Sequence, residues 1–245
     1  MGQKVNSLGL RLGINKKWDS KWYINHGYCD LLHQDLKIRN FLIRCIEKEG
    51  IIFRKCIIRH SSDKTFIFLH TYGENSEQLK KKMPIIESFL VKFIGHEVVL
   101  NHLNLITLDS AYKKITNKIS SELVSFKSKK YFVTGLEVMN IVTLTGSANL
   151  LAIFISTELE NNFRHSQFLD FIKKSIPSFL SVRSNIKGIR VQVCGRLNGA
   201  DRSKTDWFRE GQVPLHSLKD KVDYSTASAF TVYGVCGIKV WVCSN

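Results

Sequence analysis

Between Ile189 and Val242 the chain threads Arg190, Arg196, Arg202, Lys204, Arg209 and Lys239 through strand-like apolar residues, with glycines at the changes of direction. Arginine offers two parallel donors that match the oxygens of a phosphate, and lysine adds a compact point charge. The chemistry open to such a set is the holding of a polyanion. Side chains alternate along a strand, so Val191 and Val193 point one way while Arg190 and Gln192 point the other. The last strand repeats the pattern, with Ile238, Val240 and Val242 opposed to Lys239 and Trp241. One face is expected to pack inward and the other to be basic. Arg196, Arg202, Lys204 and Arg209 fall in or beside the loops of that basic face. Ordinary solvated surface cations are the bland alternative.

Nothing in the chain suggests bond-breaking chemistry. A nucleophile needs a base oriented by a third group, and His26, His33, His60, His70, His96, His102, His165 and His216 carry no such signature. His216 reads as a packed or polyanion-contacting residue. Asp201, Asp206, Glu210 and Asp223 alternate with cations, which suits local ion pairs and not a metal-dependent phosphodiester site. The 6 cysteines contain no C-x-x-C pair, which argues against a zinc site and for buried free thiols in a reducing compartment. No metal or cofactor is expected, and the chain reads as a non-enzyme.

Composition narrows the partner. At 44% hydrophobic and 11% aromatic residues, most of the 245-residue chain should fold, into two modest cores or one large one. A net charge of +15 repels itself unless an anionic partner screens it. Nucleic acid is the economical partner and an anionic membrane surface the rival. A membrane span is rejected. It needs about 20 mostly apolar residues, and the richest stretch, Leu136 to Leu159, is broken by Glu137, Asn140, Ser147, Asn149 and Glu158.

The elements that must position the cations follow from periodicity. Residues 1–25 carry Lys4, Arg11, Lys16, Lys17 and Lys21 with few periodic apolar residues, and read as a basic arm that orders on a partner. From Cys29 to Lys48, Leu31, Ile38, Leu42 and Cys45 recur at helical spacing. Ile51 to His60 and Thr65 to Thr71 suggest a hairpin, Ser76 to Ile94 a second helix kinked or broken at Pro84, and Val98 to Ile106 a third strand. Residues 108–147 are lysine-rich, with short strands expected at Tyr131 to Val133 and Ile141 to Leu144; an insertion touching RNA or a protein and a solvated linker are equal readings. From Ala148, two helices joined near Asn161 and Asn162, the second ended by Pro177, precede strands near Gly188 to Arg196, Thr205 to Val213, Ser225 to Tyr233 and Gly237 to Val242.

Gly195-Arg196-Leu197, Gly199-Ala200, Thr205, Trp207, Arg209-Glu210-Gly211, Val213-Pro214-Leu215-His216, Leu218, Asp223-Tyr224, Tyr233-Gly234 and Gly237-Ile238-Lys239-Val240-Trp241 form a long ordered set. It resembles the carboxy-terminal half of the bacterial-type small-subunit ribosomal protein three family. Met1 to Asn6, Gly9, Arg11 to Ile14, Trp18 and Trp22 resemble the same family's opening. The resemblance covers roughly the first quarter and last two-fifths strongly and the centre weakly. It implies an α+β protein: a degenerate type II KH-like amino-terminal domain at 26–107, and a carboxy-terminal domain at 148–245 with two helices on a four-stranded, mostly antiparallel sheet. The family-atypical segment 108–147 lies between them. A KH domain grips single strands through a G-x-x-G loop. Here His70-Thr71-Tyr72 passes directly to Gly73-Glu74-Asn75-Ser76, as though Gly73 stood for the loop's second glycine and the first were deleted.

The resemblance further implies binding of small-subunit ribosomal RNA in the head, contact with mRNA at the entrance channel, and small-subunit proteins ten and fourteen as neighbours, with no membrane. Lys4, Arg11, Lys16, Lys17, Arg164, Arg190, Arg196, Arg202, Lys204, Arg209 and Lys239 are the expected RNA contacts. The family's basic helix at the messenger entrance corresponds to Phe163-Arg164-His165-Ser166-Gln167-Phe168-Leu169, where Arg164 alone keeps a full charge beside His165, so strand-opening is expected to be weak. The Ile/Lys/Asn-rich middle points to a mitochondrial small subunit, with plastid and bacterial cytoplasm as alternatives. A start that matches the family's own leads to the expectation of no targeting segment and an organelle-encoded gene. Rival readings are a free RNA-binding regulator and a nucleic-acid lyase or nuclease.

Overall fold

A computed structural model of the chain describes residues 5–61, 63–73, 76–105, 123–162, 164–182 and 185–244. It divides into two compact units, Trp18–Leu108, and Met1–Lys17 together with Asp109–Asn245.

In the unit Trp18–Leu108, α1 (Tyr28–Lys48) buries Asp35, Ile38, Leu42 and Ile46 along one face, three to four residues apart. Strands β2 (Ile52–His60) and β3 (Lys64–Tyr72) pair antiparallel. After α2 (Ser76–Ile94), strand β4 (Glu97–Asn104) returns parallel to β3. A two-residue strand β1 (Ser20–Lys21) pairs parallel with β2, giving the order β1-β2-β3-β4. Ile58, Ile67 and Leu69 of the strands meet Ile38, Leu42 and Leu90 of the helices in one core. The helix, hairpin, helix, strand order expected from periodicity is present. Pro84, expected to kink or break α2, lies inside a continuous helix. Burial of Leu79, Ile86 and Leu90 holds the two halves to the same core, and packing outweighs the missing N–H. Of the three residues joining β3 to α2, Gly73 is described; Glu74 and Asn75, on which the phosphate-loop reading also depends, lie outside the described residues.

Asp35 organises this unit's entrance. Its carboxylate, 2% exposed, accepts from Trp22 Nε1 at 2.9 Å and lies 2.7 Å from His60 Nε2. His60 Nδ1 in turn lies 3.1 Å from Thr65 Oγ1. Arg39 donates to Cys56 O and Ser20 Oγ. Burial raises the Asp35 pKa, but hydrogen bonds with His60, Ser20 and Trp22 together overcome it and leave the carboxyl below its ordinary range.

In the unit Met1–Lys17 with Asp109–Asn245, α3 (Tyr131–Thr145), α4 (Ala148–Asn161) and α5 (His165–Val182) precede β5 (Ile186–Gly195), β6 (Lys204–Gly211), β7 (Lys221–Thr231) and β8 (Gly234–Ser244). The strands form an antiparallel sheet in the order β6-β5-β8-β7. Helix α4 packs on β7 and β8, α5 on β5 and β6, and α3 on the two helices. The four strands fall where alternation puts them, within a few residues.

Three expectations are corrected here. The strands expected at 131–133 and 141–144 are one helix, α3, with Phe132, Leu136, Met139 and Val142 buried. Its β-branched residues suit a strand in isolation, yet a helix pressed between helices must be apolar nearly all round. Gly135 makes the approach possible, since a Cβ there would lie 2.7 Å from the Phe171 ring. For residues 131–145 this excludes a solvated linker; Lys127, Lys129 and Lys130 just before the helix are exposed, and the lysines 113, 114 and 118 lie outside the described residues. Pro177, expected to end α5, sits inside it, with Ile176 and Phe179 buried on either side.

The third correction concerns the basic arm. Residues 1–4 lie outside the described residues, but Arg11, Asn15, Lys16, Ser20 and Trp22 are fixed by the chain's own fold. Ser20 to Trp22 are bound to the first unit as above, and Arg11 is 1% exposed inside the second. The Arg11 guanidinium donates to the carbonyls of Ser7, Pro214, Leu215, Ser217 and Asp220 at 2.7–3.2 Å. Lys16 pairs with Asp223, and Asn15 donates to Leu218 O.

Arg11→Ala should lower stability in urea by about 3 kcal/mol, the scale of two charge-assisted hydrogen bonds. Arg11→Lys should recover only part, because an ammonium cannot fork to carbonyls in several directions. A loss no larger than that of Lys17→Ala would contradict this role. For Asp35, a depressed folded pKa means stabilisation fully present above the ordinary value of 3.8 and lost as pH falls through the lower folded value. Asp35→Asn should therefore destabilise at neutral pH and flatten the acid limb of the stability curve, read from Trp fluorescence.

Candidate nucleic-acid interface

Strand register sorts the side chains of the β5–β8 sheet. Ile189, Val191 and Val193 of β5 and Ile238, Val240 and Val242 of β8 are buried against the helices. The opposite face carries Arg190, Gln192 and Cys194 from β5, Thr205, Trp207 and Arg209 from β6, Lys239 and Trp241 from β8, and Tyr224, Thr226 and Ser228 from β7. The sequence-derived opposition of Arg190 to Val191 and of Lys239 to Val240 is thus realised across four strands.

One end of this face is covered. The chain leaves β6 at Gly211, whose φ of +72° and 2.2 Å approach of a notional Cβ to Lys187 O exclude any side chain. Gln212 N then donates to Lys187 O, and the following segment lays Val213 and Leu215 over Val222, Cys243 and Trp241. Arg11 holds that segment by its carbonyls. The expected RNA contact Arg11 is therefore corrected: its donors are committed to main chain and shielded from a phosphate. Lys16 is half-buried in its pair with Asp223, Lys17 is exposed, and Lys4 lies outside the described residues.

The same register disposes of the carboxylates. Asp206, Glu210 and Asp223 are paired with Val193, Ile189 and Val242, so all three belong to the helix side. Asp206 accepts from Lys173 of α5 at 2.9 Å. Asp223 accepts from Ala148 N at 2.8 Å and so caps α4, whose own cap residue Ser147 makes no such bond. The strand residues of the open face include Arg190, Arg209 and Lys239 and no carboxylate. The expectation that these acids form local ion pairs holds for Asp206 and Asp223.

A second basic group lies at the loop end of the sheet. Asn198, at φ +56°, donates its N–H to His165 Nδ1 at 3.2 Å and accepts from Ser166 N at 3.1 Å, fastening the β5–β6 connection to the start of α5. Arg196 donates to Ala200 O within that loop. Arg164, Arg196, Arg202 and Lys204 are exposed around this joint. Burial pulls the His165 pKa below its ordinary value, so the imidazole accepts from Asn198 as a neutral ring and adds no charge beside Arg164. Phe168 and Leu169, which stand where the resemblance calls for cations, are buried in the core. His216 is exposed and not packed.

Sequence reasoning placed Trp241 on this face but missed Trp207, Tyr224 and the row they form with it. Arg190 lies 5.7 Å from the Trp207 ring centroid and 5.1 Å from that of Trp241, and Trp241 lies 5.2 Å from Tyr224. The four side chains make a row with one member from each strand. Pairing Trp207 with Arg209, and Trp241 with Lys239, at alternate positions was the available signal. Among the described residues no group of three or more His, Cys, Asp or Glu could hold a metal, and no helix is long and apolar enough to cross a membrane. The cysteines are free; Cys56, Cys236 and Cys243 are buried, and burial pushes the Cys56 thiol up to about 11.

A family model described as ribosomal protein S3, C-terminal domain, matches residues 155–242, which span α4 from Ile155 through nearly all of β8. Small ribosomal subunit protein uS3 of Pelobacter propionicus is 38% identical over 99% of this chain and 96% of its own length. Those of Rhodospirillum centenum and Trichlorobacter lovleyi are 34% and 36% identical, over 99% of this chain and 89% and 96% of theirs. The chain belongs to the uS3 family. Its likeness to these bacterial uS3 proteins runs through the centre as well as both ends, in keeping with α3 being part of the core. In this uS3 chain the face opposite the helices and the joint around Asn198 present the candidate cations.

Proposed function

We propose that the chain is a structural, non-catalytic constituent of the small ribosomal subunit, binding small-subunit rRNA in the head and helping to form the entrance for mRNA. The observation that carries this reading is an exposed sheet face with three cations and no carboxylate, in a member of the uS3 family. The open part of such a face attracts a phosphate backbone, because no carboxylate among its strand residues offsets the field. Arg196, Arg202, Lys204 and Arg164 extend the positive surface around the loop end, and small-subunit proteins ten and fourteen are the neighbours the family position suggests. The unit Trp18–Leu108 is read as a degenerate KH-like domain, on its element order and on the three residues that join β3 to α2. For the compartment we favour a mitochondrial ribosome, on the Ile/Lys/Asn-rich middle of the chain; a plastid or bacterial ribosome is the alternative, and the relatives named above are bacterial.

The test is sedimentation of the native protein from a lysate on sucrose gradients at moderate and high salt, following small-subunit RNA in the same fractions. Co-migration that survives high salt is expected, since a loose polycation is stripped as counterions compete. Protein left at the top in both would replace this reading with a free RNA-binding regulator. Arg164→Ala should slow translation of structured messages by a few fold and leave subunit assembly intact; failed assembly would make Arg164 an architectural contact.

A further inference from the structure

We propose that the open face of the β5–β8 sheet is a stacking platform for unpaired nucleotides: bases of a single RNA strand lie on Trp207 and its row while their phosphates meet Arg209 and Lys239. This deepens the RNA-binding reading above and rests on it. Two requirements on the occupant come from the same surface. Its cations, with no carboxylate among the strand residues, require a negatively charged partner. Its rings require one that also presents flat apolar faces, because Trp207 is 59% exposed on the edge strand β6, beside the Arg190 guanidinium. On the same face Phe230 at 72% and Val235 at 58% form a separate apolar pair near the β7–β8 turn, with Thr226, Ser228 and Lys239 between it and the row. A nucleic acid with its bases turned outward meets both requirements at once.

The row is built in advance. Arg190 is held between two indoles, and its Nε is buried without a hydrogen-bond partner, so the guanidinium is positioned by ring contact and not by a carboxylate. With strands about 4.8 Å apart, the four members span roughly 15 Å, a width that suits two or three bases on a four-stranded sheet. An A-form duplex keeps its bases inside the stack and offers a flat sheet only ribose and phosphate. It would use Arg209 and Lys239 and leave the rings idle. The rings are therefore what selects single strands over duplex.

The experiment titrates the full-length protein with a short oligouridylate, an oligoadenylate and a duplex of equal length, reading indole fluorescence and anisotropy, with circular dichroism confirming that each variant is folded. The single strands should bind more tightly than the duplex and quench tryptophan emission. Trp207→Ala should weaken single-strand binding about tenfold, the scale of one stacked base, with little change in salt dependence, and Trp207→Phe should restore most of it. The Arg209→Ala, Lys239→Ala double variant should instead make the log–log salt dependence shallower by about 1–2. If Trp207→Ala leaves single-strand affinity unchanged while RNA still binds, the platform is refuted and the broader RNA reading survives. The platform is equally refuted if that variant keeps its RNA affinity but no longer co-sediments with the other small-subunit proteins, which would make the face a protein contact. If no form binds RNA at all, the broader reading falls with it.

Discussion

The guanidinium of Arg11 reaches five main-chain carbonyls, four of them between Pro214 and Asp220 and the fifth at Ser7. A segment without regular secondary structure has carbonyls that neither helix nor sheet satisfies, and burying them without donors would be costly. Arginine is suited to the task because its donors diverge in one rigid plane. With those carbonyls satisfied, Val213 and Leu215 can cover Val222, Cys243 and part of Trp241, and the sheet gains a closed end. The exposed part of the face begins where that cover stops. The opening residues of the chain are thus structurally part of the carboxy-terminal unit, although more than 200 positions separate Arg11 from most of its partners.

Charge is distributed by register. A net +15 would give a diffuse positive surface if acids and bases were mixed. Instead Asp206, Glu210 and Asp223 share rows with core residues, and the first and last of these are used to tie down Lys173, Lys16 and the amino terminus of α4. The acids serve the helix side of the sheet while the other face keeps its field. Asp206 and Asp223 each do two jobs, fixing a contact and staying away from the cations across the sheet.

The positions in α5 where the resemblance leads to an expectation of cations have a packing reason to be otherwise. Phe168 and Leu169 occupy the turn of α5 that faces inward, and His165 is a buried, neutral acceptor for the Asn198 amide. The start of α5 is a joint between a helix and the β5–β6 loop, and Arg164 is the cation left outside it. The other exposed cations gather on the loop that the joint immobilises, where Arg196 is itself tied to Ala200.

Much of this was legible in the chain. The alternation of Val191 and Val193 against Arg190, and of Val240 against Lys239 and Trp241, determined which way each strand faces, since a two-residue period admits no other arrangement with one side buried. The periodicity of Ile38, Leu42 and Ile46 did the same for α1. Three things were decided only by the tertiary structure. Helix α3 exists because two other helices surround its apolar residues, and local propensity cannot report a neighbour that is distant in sequence. Pro84 and Pro177 lie within helices because burial on both sides outweighs one lost hydrogen bond. Arg11, indistinguishable in sequence from the lysines around it, becomes internal because its acceptors are brought from the far end of the chain. The sequence determined periodic, local properties, and the fold decided the long-range pairings of single polar groups, which leave no period to read.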